Sequence, residues 1–360
     1  MNDELANKKL ESLQAIRALA FLGICSGHCA LTRLGAWGVA VFLNLSGFLL
    51  VYRHYYDEKF QGNISEGIKY GLKKISRLYP LHILMMISAL ALHFKLGGKF
   101  SLLNLISNIL LFQSWIPSMN VYFSLNGVAW YLSTILFLYI IFPVILSKIR
   151  KLNSIRSAII AAGIVYTLQI VCGYWASIFI NNTNIDIPDF VHWFTYICPL
   201  FRMGDFLIGC LFGYIFIKTE HSNNQVQGTL LELLSFLILI VVQLLNANNI
   251  LFFNMDFFQN TIMYIPIASC LVFNFARNEG IVSKLLVCKP IMYIGDFSNY
   301  NFLIHGIVIS YVTTFSLWLG RPLSPLYKFL IALPISLLCS YIYIRIEQFI
   351  TVKLKQKKKR

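Results

Sequence analysis

Charge is scarce in this chain of 360 residues. Only 12% of them are Asp, Glu, Lys or Arg, against 58% hydrophobic, whereas soluble domains average about 25% charged and about 45–50% apolar. With a mean hydropathy of +0.68, that shortage excludes a soluble globular protein and points to an integral membrane protein. Carboxylates are scarcer still, 15 Asp and Glu against 30 Lys and Arg, for a net charge of +15. Long polar stretches are also missing: the longest, near 54–77 and 95–126, run to about 25–30 residues, too few for a core of their own. Repeats of solenoid period are absent, as is a matched pair of glycine- or proline-broken helices, the mark of a transporter built from inverted repeats. No small-residue cleavage pattern follows the first apolar run, so the N-terminus reads as an anchor rather than a removed signal. The eight cysteines, all but Cys288 within apolar windows, behave there as small apolar residues and predict no disulfide framework.

What the chain does have is apolar windows of the length that an about 30 Å hydrocarbon layer demands. Ten stand out, near 13–31, 36–53, 78–94, 127–147, 156–180, 196–217, 230–246, 257–276, 297–319 and 326–350. A further run at 101–116 carries Asn104, Ser107, Asn108, Gln113 and Ser114 and reads as interfacial or re-entrant. The expected fold is therefore all-α, a bundle of about ten transmembrane helices. A cytoplasmic segment 1–12 precedes the domain at 13–350, and a basic tail at 351–360 follows it. Counted from a cytoplasmic N-terminus, 22 basic residues fall on the inner side and five, Arg33, Lys95, Lys99, Arg321 and Lys328, on the outer. This is the asymmetry that keeps positive loops inside, and it puts both termini in the cytoplasm. The topology rule accounts for most of the positive charge, and the tail "KLKQKKKR" suits anionic headgroups. Nucleic acid is not called for, because no stacking aromatics interleave the basic runs.

Three basic residues lie inside the windows, and ionisable groups there are functional candidates because hydrocarbon rejects them. Arg17 and His28 sit in "LQAIRALAFLGICSGHC", eleven residues apart. That spacing returns almost to one face of a helix, about 16 Å along the axis. Such a face suits a long ligand, anionic at one end and reacting at the other. It equally suits an arginine snorkelling to headgroups and a histidine bonded to a neighbouring helix. Cys25, His28 and Cys29 share metal-ligand spacing, but a fourth ligand and a second cluster are missing, so no metal is expected. In the second window Asn44, Ser46 and Gly47 offer a small, polar surface for packing or for a site. Lys73, Lys74 and Arg77 gather before Pro80, as phosphate ligands or as ordinary inside charge. Arg202 and Asp205, at i and i+3, make a self-neutralising pair, with Gly209 and Gly213 continuing a small-residue face. Asp296, Ser298, Asn301 and His305 bring polar groups into the ninth window, while His54, His82 and His93 fall near window ends.

Taken in order, these segments resemble the acyltransferase 3 family of membrane-bound acyltransferases. "LQAIRALAFLGICSGHC" is similar to the family's opening arginine and histidine, ten residues intervening. "AVFLNLSGFLL" resembles its F-x-x-L-S-G-F segment, and "KKISRLYPLH" its basic-R-x-x-P segment. "AWYLSTILFLYIIFP" resembles a tryptophan segment through Trp130, Leu132, Tyr139 and Pro143. "RMGDFLIGCLFG" is similar to R-x-x-[DE]-F-x-x-G, and "SNYNFLIH" to S-Y-x-x-Y-L-x-H through Ser298, Tyr300 and His305. One departure stands out: many members carry a Glu where this chain has Ile135. The chain also resembles the stand-alone form, without a fused esterase-like domain.

The resemblance implies an O-acyltransferase of the bacterial cytoplasmic (inner) membrane. Its donor would be a cytoplasmic acyl-CoA, usually acetyl-CoA, and its acceptor a hydroxyl of a cell-surface polysaccharide, such as an O-antigen, or of a lipid-linked precursor. Arg17, with Lys73, Lys74 and Arg77, is then expected to hold the anionic donor. His28 would take the acceptor's proton as general base, with an acyl-histidine as the alternative. Ser46, Asn44 and His305 are candidate oxyanion donors, and Trp130, Arg202, Asp205 and Ser298 supporting positions. The readings from other classes are a transporter or flippase of a glycan precursor and a non-catalytic scaffold.

Overall fold

Each of the ten windows folds as a helix or a bent helix pair. A computed structural model of the chain describes residues 10–97, 101–182, 189–219, 224–248, 255 and 257–357. Lys8, Lys9, Lys99 and the last three residues of the basic tail lie outside the described residues. In chain order the main helices are α1 (Glu11–His28), α2 (Gly35–His54), α3 (Ile64–Ile75), α4 (Tyr79–Lys95), α5 (Leu102–Ile109) and α6 (Trp130–Ile149). They continue with α7 (Ile155–Asn182), α8 (Pro199–Lys218), α9 (Gln225–Ala247), α10 (Tyr264–Arg277), α11 (Lys289–Asp296), α12 (Ser298–Trp318) and α13 (Pro325–Lys357). No strand occurs among the described residues.

Seven helical stretches are long and apolar enough to cross a bilayer: Gly35–His54, Gly127–Ile149, Ile155–Ile180, Phe190–Lys218, Gln225–Ala247, Ser298–Trp318 and Pro325–Lys353. An eighth forms if α3 and α4, bent by 58° where they meet, act as one. The bend has a chemical origin: Pro80 in the first turn of α4 has no N–H to carry the hydrogen bonds of α3 onward, and fits only where a helix starts afresh. Two further windows fold as helices without joining the seven. Helix α1 carries Glu11, Gln14, Arg17 and His28 in 18 residues. Helix α10 has 14 residues after a π-helical turn at Phe258–Ile262. The polar run at 101–116 folds as the eight-residue α5 and a 3₁₀ turn at Gln113–Trp115, too short to span.

Helices α1 and α2 form the centre, enclosed by their neighbours over most of their length. Helices α7, α9 and α13 surround them and turn rows of Ile, Leu and Val outward, among them Ile160, Leu168, Leu237, Ile240, Leu330 and Leu338. An outward apolar face is what hydrocarbon requires of a peripheral helix. Glycine sets close helix contacts in the bundle. A β-carbon on Gly47 would strike the backbone of Phe206 and Cys210, one on Gly209 the backbone of Asn44, and one on Gly213 that of Phe48. Helices α2 and α8 therefore touch backbone to backbone, as small-xxx-small faces allow. Gly27 plays the same part at the end of α1, meeting the backbone of Gly35.

Candidate active site

The ninth and first windows meet at a pair of histidines. Nε2 of His305 lies 2.9 Å from Nδ1 of His28, with the rings nearly parallel, 13° apart in plane and 4.9 Å between centroids. His305 is fully buried, and its Nδ1 faces two carbonyls, Phe302 at 2.6 Å and Asn301 at 3.3 Å. Carbonyl oxygens only accept, so Nδ1 of His305 carries the proton and, in the neutral ring, Nε2 does not. Nε2 must then accept from Nδ1–H of His28, which leaves Nε2 of His28 with a free lone pair. Backbone carbonyls of α12 thus set the tautomer of a residue on α1.

His28 is exposed to solvent space in the wall of a cavity of about 920 Å³ lined by α4, α5, the 119–125 segment and α12. Its polar lining includes His93, Asn104, Asn120, Ser124, Ser310, Thr313 and Lys328. An adjoining space of about 350 Å³ also reaches His28 and is bounded by Trp130, Gly127 and Gly306. Such a wall, rich in hydroxyls and amides beside apolar surface, can hydrogen-bond a polyhydroxylated ligand.

Arg17 opens elsewhere, into a cavity of about 270 Å³ that it lines with Arg53, Lys74 and Arg77. Ser46, Tyr131, Tyr139, Asn299 and Tyr300 are also in this wall, together with Leu49, Leu50, Leu132 and Ile135. Among the described residues four cations and no carboxylate line the space, an arrangement whose mutual repulsion an anion would relieve. Nε of Arg17 is buried without a hydrogen-bond partner among the described residues. Ser46 Oγ donates to the carbonyl of Phe42 at 2.7 Å and stands within hydrogen-bonding reach of Tyr131 and Tyr139. Its proton is therefore engaged, and its lone pairs are left to accept from the tyrosine hydroxyls.

The structure thus brings Arg17, Lys74, Arg77 and Ser46 into one cavity and His28 and Trp130 into another, with His305 between them. The rest lie apart. Lys73 is exposed and outside the cavity wall. Asn44 is buried, donating to Ser269 Oγ at 2.7 Å across the α2–α10 contact. Arg202 and Asp205 form a buried ion pair of 3.1 Å, with Asp205 also held by Gln169 at 3.0 Å, in the interior of the α7–α8 contact. Ser298 is buried at the start of α12. His82, expected near an interface, is fully buried against the carbonyl of Asn108 at 3.0 Å. Cys25 and Cys29 are buried core residues beneath His28. Sequence reasoning counted Arg53 only as inside charge and passed over Tyr131. Arg53 is seven residues beyond Ser46, two turns along the same helical face, and that spacing was the available signal.

Three comparisons bear on these observations. A family model described as an acyltransferase domain, acyltransferase 3, matches residues 10–345. The acyltransferase MdmB of Streptomyces mycarofaciens is 26% identical over 232 residues, which is 58% of this chain and 57% of that protein. The match thus spans little more than half of the relative's length. No solved structure matches. With the family model covering nearly all of it, both histidines and all four cavity cations included, the chain belongs to the acyltransferase 3 family.

Proposed function

We propose that this chain is an O-acyltransferase of the bacterial inner membrane. It moves an acyl group, acetyl in the first instance, from cytoplasmic acyl-CoA to a hydroxyl of a cell-surface polysaccharide or its lipid-linked precursor. The observation that carries the reading is the histidine pair, with its free Nε2, set between a cationic cavity and one lined by hydroxyls and amides. Ten spans with both termini in the cytoplasm put the Arg17 cavity on the donor's side. There Arg17, Arg53, Lys74 and Arg77 take the phosphates of CoA, and the tyrosine hydroxyls accompany its thin arm.

In the reaction, Nε2 of His28 accepts the proton of the acceptor hydroxyl as that oxygen attacks the thioester carbonyl. The C–S bond breaks, the acyl group remains on oxygen, and the proton passes from the imidazolium to the departing thiolate, giving the ester and CoA. His305 positions the base: its Nε2 accepts from Nδ1–H of His28 and stabilises the imidazolium that forms. Tyr131, in the cationic cavity wall beside Phe302, is the candidate hydroxyl donor on the inner side for the developing oxyanion.

The test supplies purified wild-type protein or His28→Ala, with acetyl-CoA labelled in the acetyl group, to envelope membranes of a strain lacking the gene. Label is expected in the glycan fraction as a base-labile ester, and the variant is expected to lose about 10²–10⁴-fold of the rate. Label that stays in CoA with the wild type would overturn the acyl-transfer reading. Transfer by His28→Ala at the wild-type rate would overturn the role of the base.

A further inference from the structure

The two cavities share no lining residue among those described, yet they come within one helical turn of each other. On α12, Phe302 and Leu303 line the cationic cavity while Gly306 and Ile307 line the His28 side. Four residues of helix advance about 6 Å. At the start of α6 the two sides are split between neighbours, Tyr131 on one and Trp130 on the other. Arg17 and His28, by contrast, are eleven residues apart on α1. The long way is therefore taken by cavity, and only a thin wall separates the end of that cavity from the histidines.

Aromatic rings fill the wall. The Phe302 ring lies 5.1 Å from Tyr131, 5.9 Å from Phe42 and 5.6 Å from His305, centroid to centroid. Phe21, one turn beyond Arg17 on α1, closes edge-on against His305 at 5.6 Å. Phe302 is 5% exposed, and its remaining surface faces the cationic cavity. From these contacts we infer that Phe302, backed by Tyr131 and Phe42, sets the length of the acyl group the protein accepts. Resting on the donor-side reading above, this makes Phe302 a specificity-determining residue: in the donor-bound state a short acyl group ends against its ring, which must turn aside for the carbonyl to meet the acceptor at His28, and each added methylene needs space the three rings occupy. Packed aromatic walls give way little, because neighbouring side chains must leave their rotamers to make room.

The experiment measures equilibrium binding of CoA, acetyl-CoA, butyryl-CoA and octanoyl-CoA to the full chain in nanodiscs, for wild type, Phe302→Leu and Phe302→Ala. In the wild type the dissociation constant of octanoyl-CoA should exceed that of acetyl-CoA by about 100-fold, the scale on which a filled pocket rejects extra methylenes. The ratio should fall below about 10 in Phe302→Ala, with Phe302→Leu between them. An equal ratio in all three proteins overturns the length-setting role. Failure of the wild type to bind CoA overturns the donor-site reading instead, and with it this inference. Binding of CoA by each variant confirms that its cationic cavity is intact, so the ratios compare folded proteins.

Discussion

His305 makes no contact with either cavity and still governs the residue that does. With its Nδ1–H committed to the carbonyls of Phe302 and Asn301, it can only accept from His28, which keeps the reactive lone pair pointed away from the core. Replacing it with Phe should lower the turnover of acyl transfer by about 10–100-fold, the usual effect of losing an orienting partner, while leaving the KM for acetyl-CoA near its wild-type value. His305→Gln, whose amide oxygen can accept from Nδ1–H, should recover part of the loss. Steady-state kinetics on the two variants checks this, and a loss equal in both, or one confined to KM, would remove His305 from the mechanism. Of this arrangement, the sequence disclosed the members but not the bond. Arg17 and His28 were readable because hydrocarbon tolerates such residues only for a reason. The meeting of His28 with a residue 277 positions away depends on tertiary contacts that no local spacing encodes.

Among the elements, the α2–α8 contact holds the cationic cavity in shape, since Ser46 and Arg53 face that cavity while Gly47 on the same helix meets α8. Gly209→Val would force two backbones apart; overpacking of this kind costs about 1–3 kcal/mol. The expected outcome is a lowered thermal midpoint and less monodisperse protein in detergent, with Gly209→Ala milder than Val. Unchanged melting of Gly209→Val would show that the contact is not close-packed. The small-residue face was legible in the spacing of Gly209 and Gly213. Other elements were not. Arg150, counted only as inside charge, donates to the carbonyls of His54, Tyr55, Asp57 and Phe60 at 2.6–2.8 Å and pins the loop after α2. A basic residue that satisfies loop carbonyls looks, in sequence, like one that obeys the topology rule, because both requirements place an arginine just outside an apolar helix.

At the scale of the molecule, the charge asymmetry makes a claim that can be checked without any substrate. In a cysteine-free background, single cysteines at Glu11 and Lys353 should resist a membrane-impermeant thiol reagent in intact cells and react once the membrane is opened. Cysteines at Arg321 and Lys328 should react in both. Labelling of Lys353→Cys from outside would break the arrangement of ten spans with both ends in the cytoplasm. Composition made the membrane class and the helical windows plain, while α1 and α10, too polar or too short by themselves, depend on the bundle around them. The cationic cavity carries one more implication. On the proposed donor role its four cations would grip the phosphates of CoA, and the spent carrier keeps every phosphate that the charged carrier had. Binding that does not change between substrate and product cannot tell them apart. A catalyst built on that reading would be throttled by its own by-product and would follow the acylated fraction of the cell's coenzyme pool, slowing when that fraction falls.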